Sequence, residues 1–248
     1  DPLAQDQNRG FSDYACRMLD ECVDTVNCLR NENTVNLLGV CQGGTFSLCY
    51  SALYGHKVRN LVTMVTPVDF HTEDNVLSKW VRKVDLDSVE DCYGNVPGNL
   101  LNAVFVSLQP FRLGSKKYLD LVDLADNPEG LRTFARMERW IADSPDQAGR
   151  AFCEFVRDLF QRNALVQGEL VLDGNLVDLG KIHCPVLNVY ALADHLVPAS
   201  ASRPLAGHVA SADYSELEFD GGHIGIYVSR SAQEIVPPAI AAWLQARS

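Results

Sequence analysis

The sequence predicts an α/β protein in which a mainly parallel sheet flanked by helices is interrupted by an inserted, mainly helical cap. Three observations carry this prediction. Short apolar runs bounded by turn residues alternate with helical patterns at the front of the chain, a long middle stretch loses strand alternation, and sheet-like runs return near the end. The chain has 248 residues, 47% of them hydrophobic, enough for one substantial core and an inserted lobe.

From Ser12, read as an N-cap, apolar residues at Ala15, Met18, Cys22, Val26 and Leu29 recur at helical spacing until Asn31 and Asn33 end the pattern. Thr34 to Leu38 reads as a strand, Gly39 to Gly44 as a tight turn, and Thr45 to Tyr54 as a helix closed by Gly55. A second strand spans Asn60 to Thr66 and stops at Pro67; two strands separated by a helix are the unit of a parallel sheet. Helical patterns follow near Gly98 to Leu108, Lys117 to Leu124, Leu131 to Ile141 and Ala151 to Phe160. Asp173-Gly174-Asn175 marks a small hairpin between Leu170 to Leu172 and Leu176 to Leu179. Val186 to Leu192 and Glu216 to Phe219 restore sheet texture, and a last helix is entered through Pro237-Pro238. These elements divide the chain into an α/β core, residues 1–70 and 184–248, and an inserted cap, residues 71–183.

The formal net charge of -11 opposes nucleic acid as a partner, because displacing condensed counterions needs a basic face. Arg112, Lys116 and Lys117 still form a local basic cluster able to serve a small anion. The eight cysteines include no CxxC pair and no histidine at zinc-ligand spacing, which predicts no structural metal. Their scatter through apolar segments fits free thiols in a reducing cytoplasm. No segment offers a transmembrane run, and Asp1-Pro2-Leu3-Ala4-Gln5 is not a signal peptide. The missing initiator methionine and polar opening predict a fragment of a longer chain.

Gly39-Val40-Cys41-Gln42-Gly43 fits the nucleophile-elbow pattern, with cysteine where serine is usual. Such a turn needs small neighbours two residues to either side, so that helix and strand approach closely. It presents the sulfur at the carboxyl edge of the sheet, beside a helix N-terminus, where the backbone amide of Gln42 can donate to a developing oxyanion. Glycine-rich turns and buried cysteines are common in cores, so the motif alone leaves both readings open. The rest of the chain supplies the α/β-hydrolase order of nucleophile, acid and histidine. Asp194 follows the strand Val186 to Leu192, and His223 follows Glu216 to Phe219 in the loop Asp220-Gly221-Gly222-His223. In these roles His223 takes the proton of Cys41, and Asp194 orients the imidazole and stabilises its charged form. His195 reads as a local hydrogen-bonding residue, and Asp69 and His71 as lining or hinging the cap. The other cysteines read as packing, and Trp80, Trp140 and Trp243 as core or cap-interface anchors.

With these residues in view, the chain resembles the catalytic subunit of class III poly(3-hydroxyalkanoate) synthases. The resemblance runs through the blocks VNLLGVCQGGTFSLCY, VRNLVTMVTPVDFHT, ERWIADSPDQAG, CPVLNVYALADHLVP and FDGGHIGIYVS. The family's catalytic cysteine, aspartate and histidine fall on Cys41, Asp194 and His223. The resemblance implies polymerisation of (R)-3-hydroxyacyl-CoA, typically 3-hydroxybutyryl-CoA, into a growing polyester with release of CoA. A thiol suits that reaction because moving an acyl group from the CoA sulfur to Cys41 exchanges one thioester for another. His223 or Asp194 would then activate the attacking 3-hydroxyl. The resemblance further implies no cofactor beyond the CoA thioester substrate, a self-dimer, a noncatalytic (PhaE-like) synthase subunit, and work at the polymer granule surface. A cap covering Cys41 would exclude water, the rival nucleophile. Relative to the family, upstream sheet strands and the loop expected to give a second oxyanion-hole amide are absent. Two other readings stand beside this one: a cysteine hydrolase of dienelactone-hydrolase type, and a noncatalytic binding module on the same fold.

Overall fold

The computed structural model describes residues 1–124 and 126–248. Its contacts group the chain into two compact units, Gly10–Val84 with Glu154–Ser248, and Asp1–Arg9 with Asp85–Cys153. The insertion is therefore shorter than the expected 71–183, and Asp1–Arg9, expected in the core, groups with it. Burial explains the difference. Phe155, Leu159, Leu170, Val177 and Ile182 enter the same apolar cluster as Phe11, Tyr50 and Leu61, so residues 154–183 belong to the core unit. Helical periodicity reveals an apolar face but not the surface against which it is buried.

Six strands occur in the first unit: β1 (Val35–Val40), β2 (Val58–Met64), β3 (Val171–Leu172), β4 (Asn175–Leu176), β5 (Val186–Ala191) and β6 (Tyr214–Phe219). Four of them build a parallel sheet in the order β1-β2-β5-β6. β3 and β4 form the separate hairpin, with Asp173 and Gly174 both at positive φ (50° and 78°), as a two-residue hairpin turn demands. Alternate residues of the central strands face opposite ways. Leu61 and Val186 join one apolar cluster, while Val62 and Leu187 join the other.

Helix α1 (Leu19–Arg30) continues a π-helical turn, Asp13–Met18, and ends at Asn31 in the left-handed conformation that closes helices. Ser12 is not its cap. It lies in the helical region without a side-chain cap bond, and the carboxylates of Asp13 and Glu154 accept from the Gly10 and Phe11 amides instead. The expected apolar stripe holds only near the start of the helical run, for Val26 and Leu29 are 47% and 81% exposed. The last helix, Arg230–Gln245, begins ahead of its prolines at Ser229, whose hydroxyl accepts from the Ala232 amide at 3.1 Å. Pro237 and Pro238 sit inside it; burial of Ala232, Val236 and Ile240 along one face holds the helix despite the lost donors.

Helix α2 (Gln42–Leu53) packs on β1 and β2. Of its glycines, Gly44 and not Gly43 is held tightly. A Cβ at Gly44 would collide with Thr66, whose Cγ2 and Cβ would lie 2.7 and 2.8 Å away, whereas a Cβ at Gly43 meets nothing within 4 Å. The expected small-residue requirement thus holds at Gly39, which faces Ser47 and the backbone of Gly43 and Gly44, and moves one position along on the helix side. The first helical turn carries residue 43 outward and residue 44 onto the segment after β2. Gly44→Ala should accordingly destabilise the fold by about 1–3 kcal/mol through overpacking. Gly43→Ala should be neutral or stabilising by up to about 1 kcal/mol, because its φ is ordinary and alanine favours the helix. Urea-unfolding midpoints of the two variants measure the contrast.

Candidate active site

The parallel register brings four strand ends to one edge. Val40 pairs with Met64, Met64 with Val189, and Ala191 with Phe219, so the segments that leave β1, β2, β5 and β6 emerge together. Cys41 is the first residue after β1 and the N-cap of α2, at φ 51° and ψ -119°. A non-glycine residue at positive φ costs about 1–3 kcal/mol unless its surroundings compel it. Here they do: the Cys41 amide donates to the Met64 carbonyl at 2.9 Å, and the Cys41 carbonyl accepts from Gly44 at 3.0 Å and Thr45 at 3.2 Å. Gln42 opens the helix, where a backbone N–H has no intrahelical acceptor.

Asp194 and His223 meet across the ends of β5 and β6. His223 Nδ1 donates to Asp194 Oδ2 at 2.6 Å, and Asp194 Oδ1 accepts from the amides of Leu196 (2.8 Å) and Val197 (2.9 Å). The two loops are stitched by Leu192 N–H to the Phe219 carbonyl and Ala193 N–H to the Gly221 carbonyl, both at 2.9 Å. The Asp194 side chain has no exposure to solvent, and that of His223 has 8%. Cys41 is the other titratable group that acts on this imidazole. Burial alone would disfavour a charged ring, but the hydrogen bond to Asp194 and the interactions with Cys41 and the Asp194 carboxylate outweigh it. The imidazole pKa is pushed up to about 10. Asp194 is thus fixed by backbone amides and orients His223, while the half-buried Cys41 sits on the elbow at the same sheet edge.

Other expected residues lie elsewhere. Asp69 Oδ1 accepts from the His71 amide and from Asn163 Nδ2, both at 2.8 Å, and His71 Nε2 bonds the Phe160 carbonyl at 2.8 Å, tying 69–71 to 160–163 within the core unit. His195 is half-buried, and the ring bonded to Asp194 is that of His223. Cys16, Cys49 and Cys153 are buried as packing residues should be, while Cys22, Cys28 and Cys92 are exposed; all eight cysteines are free thiols. Trp80 and Trp140 are 46% and 55% exposed, unlike the anchors expected. In the basic cluster, Lys116 pairs with Asp120 and Lys117 with Glu138. Among the described residues no cluster has a metal-ligand set, and no helix is long and apolar enough to cross a membrane.

Sequence reasoning missed two features. The backbone clasp of Leu196 and Val197 on Asp194 is invisible in side-chain identity. Tyr227, whose ring stands 6.1 Å from that of His223 at an interplanar angle of 84°, was legible through its spacing, four residues after the histidine at a helix start.

Residues 2–229 match the family model for the alpha/beta hydrolase fold. The chain is 55% identical to poly(3-hydroxyalkanoate) polymerase subunit PhaC of Allochromatium vinosum, over 99% of this chain and 69% of that protein. It is 51% identical to the subunit of the same name from Thiocystis violacea, over 100% of this chain and 70% of that one. Among solved structures, the monoacylglycerol lipase of Paleococcus ferrophilus has a TM-score of 0.58 at 17% identity, covering 97% of this chain and 78% of its own, a likeness of fold.

The raised imidazole pKa predicts a stability that depends on pH. A group whose folded pKa lies above its unfolded value near 6.5 contributes fully below that value and loses the contribution as pH rises through about 10. The stability difference between the unsubstituted chain and Asp194→Asn should therefore shrink as pH rises across that window, as followed by urea unfolding at several pH values.

Proposed function

Because the chain belongs to the poly(3-hydroxyalkanoate) polymerase PhaC family on the alpha/beta hydrolase fold, we propose that it is an acyltransferase polymerising (R)-3-hydroxyacyl-CoA into a polyester. The observation that carries the reading is 55% identity to a PhaC subunit over nearly the whole chain; the buried His223–Asp194 pair at the sheet edge that also carries Cys41 supports it.

In the first half-reaction the Cys41 thiolate adds to the thioester carbonyl and the Gln42 amide donates to the oxyanion. The bond from carbon to the CoA sulfur breaks, and the leaving thiolate takes the proton held on His223. In the second, the 3-hydroxyl of another acyl unit gives its proton to His223 and attacks the acyl carbon. A carbon–oxygen ester bond forms as the bond to Cys41 breaks, and the thiolate returns. The full burial of the Asp194 side chain, with both oxygens engaged, supports His223 as the direct base and Asp194 as its partner. No cofactor enters, since the CoA thioester carries its own activation. The same reading includes 3-hydroxybutyryl-CoA as substrate, pairing with a second copy and a noncatalytic synthase subunit, and a place in the cytoplasm at the polymer granule surface.

A cysteine hydrolase would use the same three residues on water, but the family identity favours a hydroxyl acceptor. Incubation with (R)-3-hydroxybutyryl-CoA separates the readings. CoA release with polymer is expected; CoA release with free acid would make the chain a hydrolase, and neither product would leave a binding module. Cys41→Ala should lower CoA release by more than about a thousandfold, as loss of a covalent nucleophile does.

A further inference from the structure

A single hydrogen bond fixes one point of a ring and leaves it free to tilt about that bond. His223 bonds Asp194 through Nδ1, and the reading of Cys41 as nucleophile requires the opposite nitrogen, Nε2, to stay directed at its sulfur. Tyr227 stands where a support for that orientation is needed. Its ring lies perpendicular to the imidazole, at 84° and 6.1 Å between centroids, and it packs with Cys41 against the apolar cluster of Val62, Val189 and Ile226. The backbone there is fixed, with the Ile226 amide donating to the Gly222 carbonyl and the Tyr227 amide to the Ile224 carbonyl, both at 3.1 Å.

We propose that Tyr227 is a positioning residue for acyl transfer, its ring fixing the plane of the His223 imidazole so that the proton-carrying nitrogen stays directed at Cys41. The contact belongs to the ring and not to the hydroxyl. Burial, followed by the charges of Cys41 and Asp194, raises the phenol far above its ordinary pKa, so Tyr227 brings no charge to the relay. The charged or titratable groups acting on His223 are Asp194 after β5 and Cys41 before α2. The inference rests on reading Cys41, His223 and Asp194 as the catalytic set.

The test follows alkylation of Cys41 by iodoacetamide against pH in the full chain. Peptide mass spectrometry isolates Cys41 from the exposed Cys22, Cys28 and Cys92. The profile of the unsubstituted chain should differ from that of His223→Ala. Tyr227→Leu should move toward the His223→Ala profile and lose about threefold to tenfold in rate near neutrality, the worth of one perpendicular aromatic contact. Tyr227→Phe should retain the unsubstituted profile, and thermal melts establish that both variants are folded. With 3-hydroxybutyryl-CoA, kcat for Tyr227→Leu should fall with KM little changed. A Tyr227→Leu profile identical to the unsubstituted one, or a Tyr227→Phe profile like that of Tyr227→Leu, overturns the positioning role. An unsubstituted profile identical to that of His223→Ala overturns the catalytic reading and this inference with it.

Discussion

A carboxylate and an imidazole sharing a proton at 2.6 Å, the carboxylate wholly out of solvent, are the constraint around which the carboxyl edge of the sheet is arranged. Burying charge is costly unless every lone pair finds a donor. Asp194 meets that condition with two backbone amides on one oxygen and His223 on the other. Those amides exist only because the chain after β5 turns sharply back, and the turn is held by hydrogen bonds to the loop after β6. The acid is thus fixed by main chain, and the histidine by the acid. Loosening either loop would leave a buried carboxylate without partners, so the same bonds stabilise the fold and shape the site.

The elbow side is built on close approach. Gly39 and Gly44 let α2 settle onto β1 and onto the segment after β2, and that fit compels Cys41 into its positive φ. A second strained residue sits next door. Val65, β-branched and fully buried, also adopts positive φ (43°), and its amide donates to the Val189 carbonyl at 2.7 Å. Such conformations persist where packing over-determines them, and here two occur within the segments that leave neighbouring strands. The strain is concentrated where the sulfur must project from the sheet.

The core unit owes its extent to aromatic packing. Phe11, Phe46, Phe70, Phe155 and Phe160 form a chain of ring contacts with centroids 4.8 to 6.2 Å apart, joining the first helical run to residues on both sides of the insertion. Asn163 reinforces it, accepting from the Phe70 amide and donating to Asp69. The polypeptide therefore leaves and re-enters the core unit between paired segments, residues 69–71 and 160–163, fixed to each other by hydrogen bonds.

Much of this was legible in the residues. The β1-turn-α2 unit, the hairpin at Asp173-Gly174 and the helix Gly98–Leu108 follow from local rules of periodicity and turn chemistry, which act over a few residues. The order Cys41, Asp194, His223 was equally visible, because chain order constrains which loops share a sheet edge. Three things were not. The insertion boundary depends on which core a helical face meets, the tight glycine depends on the neighbour it faces, and the exposure of Val26 and Leu29 depends on what lies beside α1. Sequence alone determined most of the elements, which neighbouring residues encode, and proposed Cys41, Asp194 and His223 as the candidate set through their order along the chain. Only the tertiary structure decided the backbone clasp on Asp194, the tight fit of Gly44 on Thr66 and the extent of the core, because each depends on how the chain folds back on itself, which residue identities do not record.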